Sequence, residues 1–265
     1  MQHRLFVPRT RASQAPLVVA LHGCTQTAES FARSTGFDAA AERYGALVLY
    51  PEQSTTANPS RCWNWFLREH QDRSAGEPAA ILALIADVVR RQDVDASRVF
   101  VCGLSAGGAM AAILADQAPD VFAAAGISAG VPLRAAATLD DAYHAMAGRS
   151  VPALGERPRA SEFARMRVTI WTGADDRVVA PSNATELALQ FAALMGLDGS
   201  APAPAFDGGA ALLRWHDAGG ATRVETRTIA GMGHAWSGGA AGMPFTHPRG
   251  PSASDAMLAF FLAGA

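Results

Sequence analysis

An α/β architecture, a mostly parallel twisted sheet with helices on both faces, is what this chain predicts, and three observations carry the prediction. Apolar runs rich in β-branched residues alternate along the chain with segments of helical periodicity, an order that calls for parallel strands joined by right-handed crossovers. One run, Arg98-Val99-Phe100-Val101-Cys102, passes directly into Gly103-Leu104-Ser105-Ala106-Gly107 and then into the small-residue stretch from Gly108 to Ala115. That succession reads as strand, sharp turn and helix. Finally, 265 residues with 49 % hydrophobic content suffice for one large core, so a single domain over 1–265 without a large cap is expected.

Taken in order, strands are expected at 4–7, 17–21, 46–50, 98–102, 123–128, 167–171 and 222–229, with no internal repeat. A helix before Tyr50 holds Phe37, Ala40, Ala41 and Tyr44 on one face. Residues 77–91 form another, with Ile81, Leu84, Ile85, Val88 and Val89 on a single side. Near the end, Ser252-Ala253-Ser254-Asp255 resembles a capping box with Asp in place of Glu, opening a last helix through Phe261. Two stretches break the rhythm. Residues 131–165 contain Pro132, Pro152 and Pro158 and little apolar periodicity, and form a short excursion between strands; 196–209 is a Gly/Ala/Pro surface loop. With no sizeable lid, an open cleft is expected, which suits a long ester, and a deep, fully covered cavity would contradict it.

The chemistry begins at Ser105. A turn this sharp holds its serine above the sheet in strained backbone angles, and Gly103 and Gly107 remove side chains that would collide where strand and helix approach. The following helix aims its first amides at the site, where an anion is favoured. As an ordinary serine in a Gly-rich turn, Ser105 would need none of the context that follows. Pro16-Leu17-Val18-Val19-Ala20-Leu21 runs into His22-Gly23-Cys24-Thr25-Gln26, the place where such an architecture puts its second oxyanion donor. The two donors are assigned to the backbone N–H groups of Cys24 and Ala106. His22 reads as a loop brace.

The acid and the base should follow in that order. Thr172-Gly173-Ala174-Asp175-Asp176-Arg177-Val178-Val179 leaves a strand end with two carboxylates; Asp176 is preferred and Asp175 is the alternative, while either could simply cap the turn. Ala230-Gly231-Met232-Gly233-His234-Ala235-Trp236 follows the strand at 222–229, and a histidine flanked by glycines there can reach over the sheet toward Ser105. The catalytic set is therefore Ser105, Asp176 and His234. For substrate contact, Trp236 stands two residues from the base, and Trp63 and Asn64 follow Cys62 in a loop; core packing is an equal reading for Trp63.

With these segments quoted, the chain resembles the poly(3-hydroxybutyrate) depolymerase family, which also contains feruloyl-type and acetyl-xylan-type esterases. Leu21-His22-Gly23-Cys24-Thr25-Gln26-Thr27 and Gly233-His234-Ala235-Trp236-Ser237-Gly238-Gly239 are far more specific than the pentapeptide around Ser105. The resemblance implies an α/β-hydrolase fold, serine carboxyl-ester hydrolysis without a cofactor, and Ser105, Asp176 and His234 at the triad positions. Thr172 departs from the His that such enzymes commonly carry there, which bears on local packing. The resemblance also implies a Cys24–Cys62 disulfide, while Cys102 reads as a buried thiol.

Composition narrows the partners. A net charge of −2, with all 22 basic residues being Arg and scattered, leaves no footprint for nucleic acid. No apolar run has the length of a membrane span, and no Cys/His cluster has metal-ligand spacing. The expected partner is an ester substrate: oligomer, polymer or aryl ester. Met1-Gln2-His3-Arg4 has no apolar h-region, so the chain as written reads as cytoplasmic, and as secreted or periplasmic if a leader has been trimmed; a disulfide favours the latter. Hydroxyalkanoate ester hydrolysis is the leading reading. Feruloyl or acetyl-xylan ester hydrolysis is the alternative, followed by a non-catalytic binding protein on the same scaffold.

Overall fold

Strands buried on both faces of a sheet are predominantly apolar, and the central strands follow this. The computed structural model describes residues 1–149, 158–200 and 202–263. In it β2 (Ala15–Leu21), β3 (Leu47–Pro51) and β5 (Ala124–Ser128) are buried at every position. With β1 (His3–Phe6), β4 (Val94–Leu104), β6 (Arg167–Gly173), β7 (Ala205–Asp207), β8 (Ala210–His216) and β9 (Thr222–Ile229) they make a nine-stranded sheet, ordered β1-β3-β2-β4-β5-β6-β9-β8-β7. The six strands from β3 to β9 in that order are parallel to their neighbours; β1 at one margin, and β8 and β7 at the other, run antiparallel.

Helices cover both faces because side chains alternate along a strand. On β4, Phe100 stacks on Phe261 of α7 (Ala253–Leu262), with ring centroids 5.1 Å apart. Gly103, of the opposite parity, lies against Gly107 in α4 (Ala106–Gln117). The elements α1 (Ala28–Thr35), α2 (Phe37–Tyr44), α3 (Gly76–Arg91), α5 (Leu139–Met146) and α6 (Ser182–Leu194) complete the layers. The final helix opens as expected: Ser252 accepts from the Asp255 N–H, and its hydroxyl donates to the Asp255 carboxylate.

The differences from expectation have local causes. The helix expected before Tyr50 is α2, and an unexpected helix, α1, precedes it, parted from it at Gly36, whose left-handed conformation ends α1 and starts α2. The surface loop expected at 196–209 carries β7, and β8 follows it unexpectedly. β7, at the margin, is exposed at every position and so bears no buried apolar run, and β8 beside it is only partly buried. The excursion at 131–165 contains α5; its residues 150–157 lie outside the described residues. Among the described residues no helix is long and apolar enough to cross a membrane, and no group of His, Cys, Asp and Glu could hold a metal ion.

Candidate active site

Ser105 sits between β4 and α4 with φ +58° and ψ −120°, a region that costs an L-residue about 1–3 kcal/mol and persists only where the surroundings enforce it. The enforcement is visible. The Ser105 N–H donates to Ser128 O at 2.9 Å, and α4 begins at once. A Cβ on Gly107 would stand 2.2 Å from Leu21 O, and one on Gly103 2.3 Å from Gly107 O. Any side chain at either position would push the helix off the sheet. Ser105 is consequently held up at the strand ends, half-buried, at the floor of a cleft of about 250 Å³ that His234 also lines.

His234 stands in the loop after β9, and Asp176 in the loop after β6. Because these two strands are parallel neighbours with Gly173 opposite Ile229, the loops leave the sheet side by side. They are laced together by Ala174 N–H to Ile229 O and Asp175 N–H to Met232 O, each at 2.9 Å. The Asp176 carboxylate then takes three hydrogen bonds: His234 Nδ1 to Oδ2 at 2.8 Å, and the N–H groups of Val178 and Val179 to Oδ1 at 2.8 and 2.9 Å. Burial alone would raise its pKa, but the bonds from His234, Val179 and Val178 outweigh burial and hold the carboxyl below its ordinary range. With Nδ1 engaged, Nε2 is the ring nitrogen left for a partner in the cleft. Asp175, the alternative acid, is exposed.

Facing the serine is the loop after β2. Among the described residues, no acceptor takes the N–H of Cys24 or of Ala106, and both residues border Ser105. His22 is wholly buried, with Nδ1 donating to Gly23 O at 2.8 Å and Nε2 accepting from Gln53 N–H at 3.1 Å. Burial lowers its pKa, so it is a neutral brace with both nitrogens occupied. A Cys24–Cys62 disulfide, Thr25 N–H to Ser60 O at 2.7 Å and Trp63 Nε1 to His22 O at 3.0 Å clasp this loop from the other side. Cys102 is free and buried, and burial pushes its thiol pKa up.

The three expected substrate contacts are framework instead. Trp236, fully buried, packs against Phe31 and Phe37 and donates from Nε1 to Ser254 Oγ at 3.1 Å. Trp63 is fully buried beneath His22, its ring 5.5 Å from the imidazole. The Asn64 side chain donates to Glu77 Oε1 at 2.7 Å and accepts from Asn58 at 2.9 Å. An indole N–H or a carboxamide this deep needs a protein partner, and each has found one. The apolar walls are Leu104, Met146, Val178 and Phe245, which sequence reasoning did not single out. Exposure marks two of them: Val178 is 48 % and Phe245 41 % exposed, whereas Leu104 is buried. Glu77 was also missed; this buried carboxylate gathers Gln53, Asn64 Nδ2 and the Asn64 N–H, and so anchors the loop that carries Cys62.

Sheet order, elbow and strand-end loops together define an α/β-hydrolase fold. The chain belongs to the Esterase PHB depolymerase family, whose model matches residues 1–207. It is 36 % identical over 239 residues to poly(3-hydroxyalkanoate) depolymerase C of Paucimonas lemoignei, covering 86 % of this chain and 56 % of that protein. It is 28 % identical over 211 residues to acetylxylan esterase A of Emericella nidulans, covering 75 % and 68 %. The chain thus spans 56 % of that depolymerase, and 51 % of a poly(3-hydroxybutyrate) depolymerase from Ralstonia pickettii to which it is 29 % identical. In fold it is similar to an acetyl xylan esterase from Aspergillus awamori, with TM-score 0.72, 24 % identity and 88 % of each chain covered. A poly(3-hydroxybutyrate) depolymerase from Bordetella parapertussis gives a TM-score of 0.53 at 17 % identity, over 88 % of this chain and 79 % of that one.

Proposed function

We propose that this chain is a serine carboxyl-ester hydrolase acting through an acyl-enzyme, with Ser105 as nucleophile, His234 as general base and acid, and Asp176 as the group that orients His234. One observation carries the reading. A buried, hydrogen-bonded carboxylate fixes His234 Nδ1 at 2.8 Å beside the same cleft into which a strained elbow lifts Ser105. In the reaction His234 Nε2 takes the Ser105 proton as Oγ bonds to the ester carbon. The carbonyl oxygen becomes an anion met by the N–H groups of Cys24 and Ala106, at the head of α4. Collapse breaks the bond to the alkoxy oxygen, which leaves with the proton from His234. Water, deprotonated by the same imidazole, releases the acid and restores Ser105.

For the substrate, the leading reading is a hydroxyalkanoate ester. The cleft walls offer aliphatic and aromatic surface (Leu104, Met146, Val178, Phe245), which suits an aliphatic acyl chain better than a hydroxyl-rich sugar. The acetylxylan and feruloyl reading is kept alive by the relatives bearing those names. The Cys24–Cys62 bond favours an oxidising compartment, against the cytoplasmic expectation. A fluorophosphonate should label the wild-type chain and not Ser105→Ala, and initial rates should be higher on 3-hydroxybutyrate oligomers than on methyl ferulate or acetylated xylan. Retained turnover by Ser105→Ala would refute the mechanism, and a preference for ferulate or xylan would refute the substrate class.

A further inference from the structure

We infer that Gln26 is a further catalytic residue, whose side-chain Nε2–H donates a third hydrogen bond to the oxyanion. This rests on the serine-esterase reading above. Gln26 is only 5 % exposed, yet it lines the cleft together with Ser105 and His234. Its orientation is determined. The Gly23 N–H donates to Gln26 Oε1 at 2.9 Å, and since only an oxygen can accept there, the amide cannot be flipped. Nε2 is thereby turned to the other side, and among the described residues it has no hydrogen-bond partner. Nε2 is not sealed off: it is the accessible tip of an otherwise buried side chain, so a ligand in the cleft can take its N–H.

The position relative to the reacting atoms comes from Gly23. A Cβ there would lie 3.1 Å from Gln26 Oε1 and 3.6 Å from Ser105 Cβ, so the carboxamide and the nucleophile flank the same glycine. The next residue is Cys24, whose N–H is one of the two proposed backbone donors. Gln26 thus braces the donor loop with its oxygen and leaves its nitrogen unengaged on the lining of the cleft that holds Ser105. A preset donor in a water-poor cleft acts most strongly on charge that develops only in the transition state, so its loss should fall on kcat and leave KM nearly unchanged.

Two substitutions separate donation from bracing. Gln26→Glu keeps an oxygen for the Gly23 N–H and removes the donor; Gln26→Met removes both. On a p-nitrophenyl ester near neutral pH, both should lose about 10²-fold or more in kcat with KM within about threefold. Affinity for a boronic acid that mimics the tetrahedral adduct should fall by the same factor as kcat/KM, and Gln26→Glu should melt with the wild type. Retention of wild-type kcat by Gln26→Glu would overturn the inference and leave only a brace, as would a kcat loss confined to Gln26→Met and accompanied by a lower melting temperature. A wild-type chain that neither hydrolyses esters nor reacts with a fluorophosphonate would instead remove the esterase reading itself, and this inference with it.

Discussion

Replacing Cys24 and Cys62 together by alanine deletes the covalent tie between the donor loop and the loop anchored on Glu77. The bridge closes a sequence separation of 38 residues, for which the loop-closure relation gives about 3.9 kcal/mol of stabilisation through the unfolded chain. At about 2.1 cal/mol/K per residue, a chain of 265 residues unfolds with an entropy near 0.56 kcal/mol/K, so the melting temperature should fall by about 7 °C. Activity should suffer far less. Three bonds still hold the loop: Thr25 N–H to Ser60 O at 2.7 Å, Gln53 N–H to His22 Nε2 at 3.1 Å, and Trp63 Nε1 to His22 O at 3.0 Å. The backbone N–H of residue 24 also survives the substitution. Urea unfolding of wild type and double variant, with ester turnover measured in parallel at 25 °C, tests both halves. A denaturation midpoint equal to that of the oxidised wild type, or a kcat reduced by more than about tenfold at full folding, would show that the division of labour drawn here is wrong.

Trp236→Phe removes the indole N–H that Ser254 accepts but keeps an aromatic ring against Phe31. It should cost about 1 kcal/mol of stability, read from urea unfolding, and leave KM for every ester unchanged, whereas a substrate wall would show a raised KM. Asp176→Asn should fold yet lose about 10⁴-fold in kcat, because an amide in place of the carboxylate favours the wrong His234 tautomer; steady-state turnover decides this. The depressed pKa of Asp176 makes its ionised form a stabilising one. Its contribution is complete above the ordinary carboxylate range and is lost as the pH falls through the lowered folded value. The melting temperature of the wild type should therefore decline more steeply toward acid than that of Asp176→Asn.

The parts of this protein that were readable in one dimension are those where sterics leave a single choice. No other arrangement of Gly103, Ser105 and Gly107 satisfies a strand and a helix that approach within 2.3 Å of a would-be Cβ. The capping at Ser252 and the apolar central strands are equally local. Asp176 and His234 were readable as strand-end loop residues, but their meeting depends on β6 and β9 being neighbours across 58 positions of chain. The errors concern direction. Trp236 follows His234 by two residues, yet it lies in the short strand β10 (Trp236–Ser237) and turns into the core toward Phe31 and Ser254. Trp63 points under His22 because its N–H requires the His22 carbonyl. Conversely, Val178 and Val179 are indistinguishable as letters, although Val179 is 3 % exposed and Val178 48 %. Which one faces the cleft is decided by how Asp176 gathers both N–H groups.

The margins of the sheet carry a consequence for behaviour in concentrated solution. One ends in the four residues of β1 and the other in the three of β7, and each of these strands runs against its neighbour. So few open rungs offer a second molecule little on which to extend the ladder, and Gly208-Gly209 ends β7 by folding the chain straight back into β8. Accretion of copies by strand addition is thereby discouraged, leaving a particle able to tolerate crowding by its own copies.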